Sequence, residues 1–183
     1  MNEHKVQNRL YRDLWKGSQL LVPNYTPAGW WECDMLQVTK SGYGIEHEIK
    51  LTRSDFMADA KKSKDDPAGW WKFCAERKKW SEENKGIAMK DRPPVPEQKQ
   101  LNKHQLMAQG SPLGPKQFYY VTPEGLIDEG ELPDFAGLKT FKDGRHKIKT
   151  VVKAPVLHKN KVSEKVLEHA RGVFYYRYWN LRA

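Results

Sequence analysis

The sequence predicts a single mixed α/β domain: a helix, antiparallel strands, a crossover helix and further strands joined in one sheet. Three observations carry that prediction. Residues 32–51 read as two alternating strands around Ser41-Gly42, helical spacing of apolar residues recurs at both ends of the chain and after Thr52, and β-type runs return at 118–121 and 137–152. A chain of 183 residues is one domain in size and can build a core without disulfides or a structural metal.

From Asn2 to Lys16 the spacing is helical, with Leu10 and Leu14 on one face beside Glu3 and Gln7, and Lys5, Arg9, Arg12 and Lys16 on the other. The basic stripe suits a phosphate backbone or, equally, a solvated helix face. Residues 19–22 form a short apolar strand that Pro23 ends or moves to a sheet edge. The letters PAGWW stand at 27–31 and again at 67–71, too short a match for a repeat architecture. Such tryptophans cover the edge of a core more often than they stack on bases.

Thr52-Arg53-Ser54-Asp55 fits a capping box, so a helix is expected through Phe56, Met57 and Ala60 toward Lys62, with its N-terminus suited to a phosphate. Residues 63–116 read as an insertion on the crossover, basic and partly helical near 70–84 and 97–109, with a mobile loop at Pro93, Pro94 and Pro96. Residues 118–121 are an aromatic strand, and 137–141 with 145–152 make a hairpin around Asp143-Gly144. Val162, Val166, Leu167, Ala170, Val173 and Phe174 mark a C-terminal helix at about 162–179, with the run FYYRYW packed against the domain.

Net charge is +9, charged residues make up 30% of the chain, and seven Trp and eight Tyr are spread along it. A basic surface with interleaved aromatics favours nucleic acid as the partner. Cys33 and Cys74 lack metal-site spacing and read as reduced thiols. The N-terminus MNEHKVQNRL lacks an apolar signal core and no apolar run approaches membrane-spanning length, so a cytoplasmic location and no membrane partner are expected.

The chemistry centres on residues 32–56. Alternation puts Glu46, Glu48 and Lys50 on one face of the second strand, and Ile45, His47, Ile49 and Leu51 on the other. A turn at Ser41-Gly42 sets Asp34 opposite Glu48 or one residue off, close enough for two carboxylates to share a divalent ion. Asp34, Glu48 and the Ile49 carbonyl are hard oxygen donors, which select Mg²⁺ or Mn²⁺. Beside such an ion Lys50 would orient or deprotonate a nucleophile or stabilise the charge of the transition state. A strand buried on both faces carries Glu46, Glu48 and Lys50 together only if each finds a partner.

Asp34 followed by EIK at 48–50 resembles the signature of the PD-(D/E)XK nuclease superfamily. The run EIKLTRSDFMAD is similar to the EIK-x-S-x-x-DF-x-x-D pattern of its MmcB-like DNA repair proteins, and FYYVTPEGLI at 118–127 and AGLKTF at 136–141 extend the likeness. The resemblance implies a restriction-endonuclease-like core with a three-stranded antiparallel meander. It also implies Asp34 and Glu48 as metal ligands, Lys50 as the catalytic lysine, and no role for Glu46. Cys33 stands where the superfamily name has Pro, and the insertion is longer than the family leads one to expect. The expected function is Mg²⁺-dependent hydrolysis of DNA, with RNA also open as substrate. The alternative is a catalytically inactive nucleic-acid-binding module on the same fold. Arg53, Lys61, Lys103, His104, Arg9 and Arg12 are the expected nucleic-acid contacts, and Glu3, aimed inward by helical phase, is an accessory acid.

Overall fold

Asn2 accepts a hydrogen bond from the Lys5 N–H at 3.1 Å and so caps α1 (Glu3–Leu14), which ends in a 3-10 turn, Trp15–Gly17. The computed structural model of the chain describes residues 2–65, 70–144 and 147–181, with the backbone alone at 70 and 71. Val6, Gln7 and Leu10 are the buried side chains of α1, as the helical phase requires.

Strands β1 (Ser18–Tyr25), β2 (Cys33–Thr39) and β3 (Gly44–Ile49) form an antiparallel meander. Of the two outcomes expected at Pro23, an ended strand or an edge position, the second holds. β1 runs through Pro23, which sits opposite Met35, and it can because β1 is an edge strand with an unpaired side. Thr52 caps α2 (Arg53–Asp59) by accepting from the Asp55 N–H.

After α2 come β4 (Ser63–Asp65), α3 (Trp70–Glu83), a 3-10 turn at Met89–Asp91, β5 (Gln100–Asn102) and α4 (Lys103–Ala108). The helix expected at 97–109 shrinks to α4, because Asn102 caps it and residues 100–102 pair antiparallel with 63–65 instead. β6 (Gln117–Pro123) joins β3 in parallel, β7 (Ala136–Phe141) joins β6 in parallel, and β8 (Lys149–Val152) returns antiparallel to β7. The hairpin is therefore present with a shorter second arm, and residues 145 and 146 lie outside the described residues. The main sheet runs β1-β2-β3-β6-β7-β8, so β3 and β6 are central.

One layer is α1, whose Val6 and Leu10 pack with Met35, Ile49, Val121 and Phe141. On the other face, Phe56 of α2 and Met107 of α4 meet Phe118, Tyr120 and Leu138. Leu167 and Ala170 of α5 (Glu164–Asn180) meet Val22, Leu36 and Val38. Of the aromatics in FYYRYW only Phe174 packs as expected, since Tyr175, Tyr176, Tyr178 and Trp179 are exposed. Within the same run Arg177 ties α5 to the carbonyls of Pro23 and Asn24 on the sheet edge. Among the described residues no helix is long and apolar enough to cross a membrane.

Candidate functional site

A central strand has helices or loops over both faces, and every residue of β3 from Glu46 to Ile49, together with Lys50 beyond it, is buried. Charge in such a place is costly unless it is paired. Lys103, the first residue of α4, is fully buried, with Nζ 2.5 Å from Glu46 Oε1 and 3.1 Å from Glu48 Oε2. Lys50 Nζ lies 3.1 Å from Glu48 Oε1, 3.1 Å from Asp59 Oδ1 and 3.5 Å from Asp55. Lys62, just past α2, pairs with the same Glu48 Oε1 and, at 2.7 Å, with Asp59 Oδ1.

The remaining oxygens are also engaged. Asp59 Oδ2 accepts from the Tyr120 hydroxyl at 2.8 Å and lies 3.0 Å from His104 Nε2. The Trp30 indole N–H donates to Glu46 Oε2 at 2.8 Å. Glu46, Glu48 and Asp59 thus balance Lys50, Lys62 and Lys103 in one network between β3 and the crossover. Asp34 stands at its border: Met35 faces His47 across the meander, so the next pair outward is Asp34 with Glu48. Asp34 Oδ2 accepts the Ile49 N–H at 2.6 Å.

Electrostatics separates the two carboxylates. Burial, followed by the field of Glu48, pushes the Asp34 carboxyl up to about 7, although the Ile49 N–H and Lys50 pull the other way. Burial pushes Glu48 in the same direction, but Lys103, Lys50 and Lys62 together outweigh it and hold Glu48 below the usual range. Burial works against the ammonium forms of Lys50 and Lys103, yet the surrounding carboxylates keep both firmly protonated. Asp59 is held far below its ordinary range by His104, Lys103, Lys50 and Lys62 against the effect of burial.

The fold brings Asp34, Glu48, Ile49 and Lys50 together. Glu3 joins them at the edge: its Oε1 accepts from Gln7 Nε2 at 2.9 Å, Gln7 also donates to the Asp34 carbonyl at 3.0 Å, and the charge of Glu3 contributes to the raised Asp34. Arg53 is exposed and paired with Glu131, Arg9 is half-buried and bonded to the Lys142 carbonyl at 3.1 Å, and Lys61 and Arg12 are exposed. Lys103 and His104 require correction. Neither stands ready for a nucleic-acid backbone, because Lys103 neutralises Glu46 and Glu48 in the interior and His104 is bonded to Asp59 and Tyr120.

Sequence reasoning missed Asp59, Lys62 and Tyr120 and gave Glu46 no part. A signal existed for Asp59, which ends the EIKLTRSDFMAD run one helical turn after Asp55. The first PAGWW copy belongs to the core, with Trp30 buried and edge-on to Trp31. The second copy lies outside the described residues apart from the backbone of 70 and 71. The helix start at α2 carries Asp55 in its first turn, beside Lys50.

As ligands, Asp34, Glu48 and the Ile49 carbonyl offer the hard oxygens that suit Mg²⁺ or Mn²⁺. Burial, and after it the charge of Glu48, raises the Asp34 carboxyl. Among the described residues no three His, Cys, Asp or Glu side chains gather around one point. Both Glu48 oxygens are held by ammoniums, and one Asp34 oxygen accepts from the Ile49 N–H.

No family model and no curated protein matches the sequence. A similar solved structure is that of a protein of unknown function from Silicibacter pomeroyi, with TM-score 0.55 and 17% identity over 96% of this chain and 88% of that one. At that identity the likeness speaks for the fold: among the described residues, a six-stranded mixed sheet with five helices, in the predicted α/β class.

Proposed function

We propose that the chain is a metal-dependent nuclease of the PD-(D/E)XK superfamily, most similar to the MmcB-like DNA repair proteins. It hydrolyses DNA phosphodiester bonds in repair, recombination or the processing of phage or mobile-element DNA, and acts in the cytoplasm. The observation that carries this reading is the meeting of Asp34, Glu48 and Lys50 where two paired strands end, with Lys50 Nζ 3.1 Å from Glu48.

Asp34, Glu48 and the Ile49 carbonyl would hold Mg²⁺ or Mn²⁺, and Glu3 is placed to support Asp34. When bound, such an ion polarises the phosphoryl group and acidifies a water. Lys50 is kept protonated by Glu48 and Asp59, so it serves by donating to the nucleophile or to a phosphoryl oxygen rather than by taking a proton. Asp59 holds Lys50 from the helix side, which fixes the ammonium before substrate arrives. Arg53, Lys61 and Arg12, on the surface, are the groups left to contact phosphates.

The test is incubation with plasmid, single-stranded and branched DNA in Mg²⁺, Mn²⁺ or EDTA, beside Asp34→Ala. Cleavage in metal, absent in EDTA and in Asp34→Ala, is the expected result; cleavage that survives Asp34→Ala sinks the site assignment. A second reading, a nucleic-acid-binding module without cleavage, is favoured by the three ammoniums that surround Glu48. Tight binding without cutting in any metal would establish it.

A further inference from the structure

The three ammoniums on Glu48 are not equivalent. Lys103 is fully buried and compensates two carboxylates at once, and the Lys50 side chain is only 4% exposed. Removing either from its place would strand buried charge. The Lys62 side chain is 34% exposed. Its backbone is fastened on both sides, the N–H to the Asp59 carbonyl at 3.1 Å and the carbonyl to the Lys103 N–H at 3.0 Å. Of the three, Lys62 alone can carry its ammonium into water while the chain around it stays put.

The oxygens of Glu48 divide in the same way. Oε2 is closed by Lys103, whereas Oε1 is covered by Lys50 and Lys62. An ion shared with Asp34 must take a Glu48 oxygen, and Oε1 is the one that side-chain rotation can free of one of its two ammoniums.

We propose that Lys62 is a displaceable stand-in for the divalent ion: it covers Glu48 in the ion-free chain, leaves when the ion enters, and then pairs with a phosphate of the bound strand. The inference rests on the nuclease reading above and adds a positioning residue to it. Lys61, exposed, and Lys64, 4.4 Å over the Trp31 ring, flank Lys62, so the released side chain joins a basic edge where a phosphate would be met.

The experiment is Mn²⁺ titration of the full chain followed by electron paramagnetic resonance, without DNA, for wild type, Lys62→Met, Lys62→Arg and Lys61→Met. Lys62→Met keeps the aliphatic stem and removes the competing charge, so Mn²⁺ should bind roughly tenfold tighter, a difference of about 1.4 kcal/mol. Lys62→Arg should stay near wild type, and Lys61→Met, which removes a neighbouring charge from outside the cluster, should shift affinity by less than about threefold. In a second readout, Lys62→Met should lower the salt dependence of DNA binding by about one phosphate contact in Ca²⁺ and leave it unchanged in EDTA.

Equal Mn²⁺ affinity in wild type and Lys62→Met, or a gain no larger than that of Lys61→Met, overturns the assignment of Lys62 and leaves the nuclease reading standing. Failure of both folded proteins to take up Mn²⁺ overturns the metal site itself, and the Lys62 proposal with it.

Discussion

Asp34 and Glu48 are chemically similar and face each other across one strand pair, yet their surroundings divide them. Glu48 has three ammoniums and, among the described residues, Asp34 has none at pairing distance, so the proton that burial would force onto either stays on Asp34. This makes a test of stability against pH. Asp34 ionises at about 7 in the folded chain against 3.8 for a free carboxyl. Between those values the folded state keeps a proton that the unfolded state has lost, so the contribution is full below about pH 4 and is lost as pH rises through 7. Asp34→Asn retains an oxygen for the Ile49 N–H and buries no charge. In EDTA it should unfold in urea with a free energy higher than wild type by up to about 3 kcal/mol at pH 8, with the gap closing toward pH 4. A gap that is the same at both pH values would refute the raised carboxyl. Asp34, Glu48 and Lys50 were legible as residues because alternation and a nearby turn bring them together. Lys103 was misread as a surface contact because a basic residue in a basic segment carries no local sign of burial.

At the scale of elements, the cap of α2 is legible from a few neighbours, since Thr52 stands three residues before Asp55, whereas the caps Asn102 and Ser163, which start α4 and α5, were not picked out from the sequence. The three-residue strands β4 and β5 were not legible either, since their pairing joins residues about 37 apart and three residues carry no period. The end of α5 differs from expectation for a related reason, because helical spacing alone does not show which of its aromatics meet the sheet. Close packing between elements gives a sharper prediction at Gly137. A Cβ there would lie 2.5 Å from the Ala154 backbone N and 2.5 Å from the Tyr119 ring, and neither can retreat from the core. Gly137→Ala should cost about 1–3 kcal/mol by urea denaturation. Gly130→Ala, with nothing within 4 Å of its Cβ, should be near neutral. Equal effects of the two would show that β7 is not so tightly held.

For the whole molecule the question is what the insertion contributes. Among residues 72–99 none enters a core cluster, whereas Met107 packs with Phe118 and Tyr120, and Lys103 neutralises Glu46 and Glu48. Deleting 70–97, which leaves β4 and β5 joined by a short turn, should therefore preserve near-ultraviolet circular dichroism and melting within a few degrees. A chain that fails to fold would show that α3 and its loop are part of the core. The division of labour between sequence and fold follows from this arrangement. Helix caps, the strand meander, the α/β class and the trio of Asp34, Glu48 and Lys50 follow from residues near one another in the chain, where period and turn chemistry act. The closed network that gives those three residues their charge states was decided by tertiary structure. Its other members, Asp59, Lys62, Lys103 and Tyr120, come from α2, the crossover, α4 and β6, and only packing across the sheet makes a buried carboxylate and a distant lysine need each other.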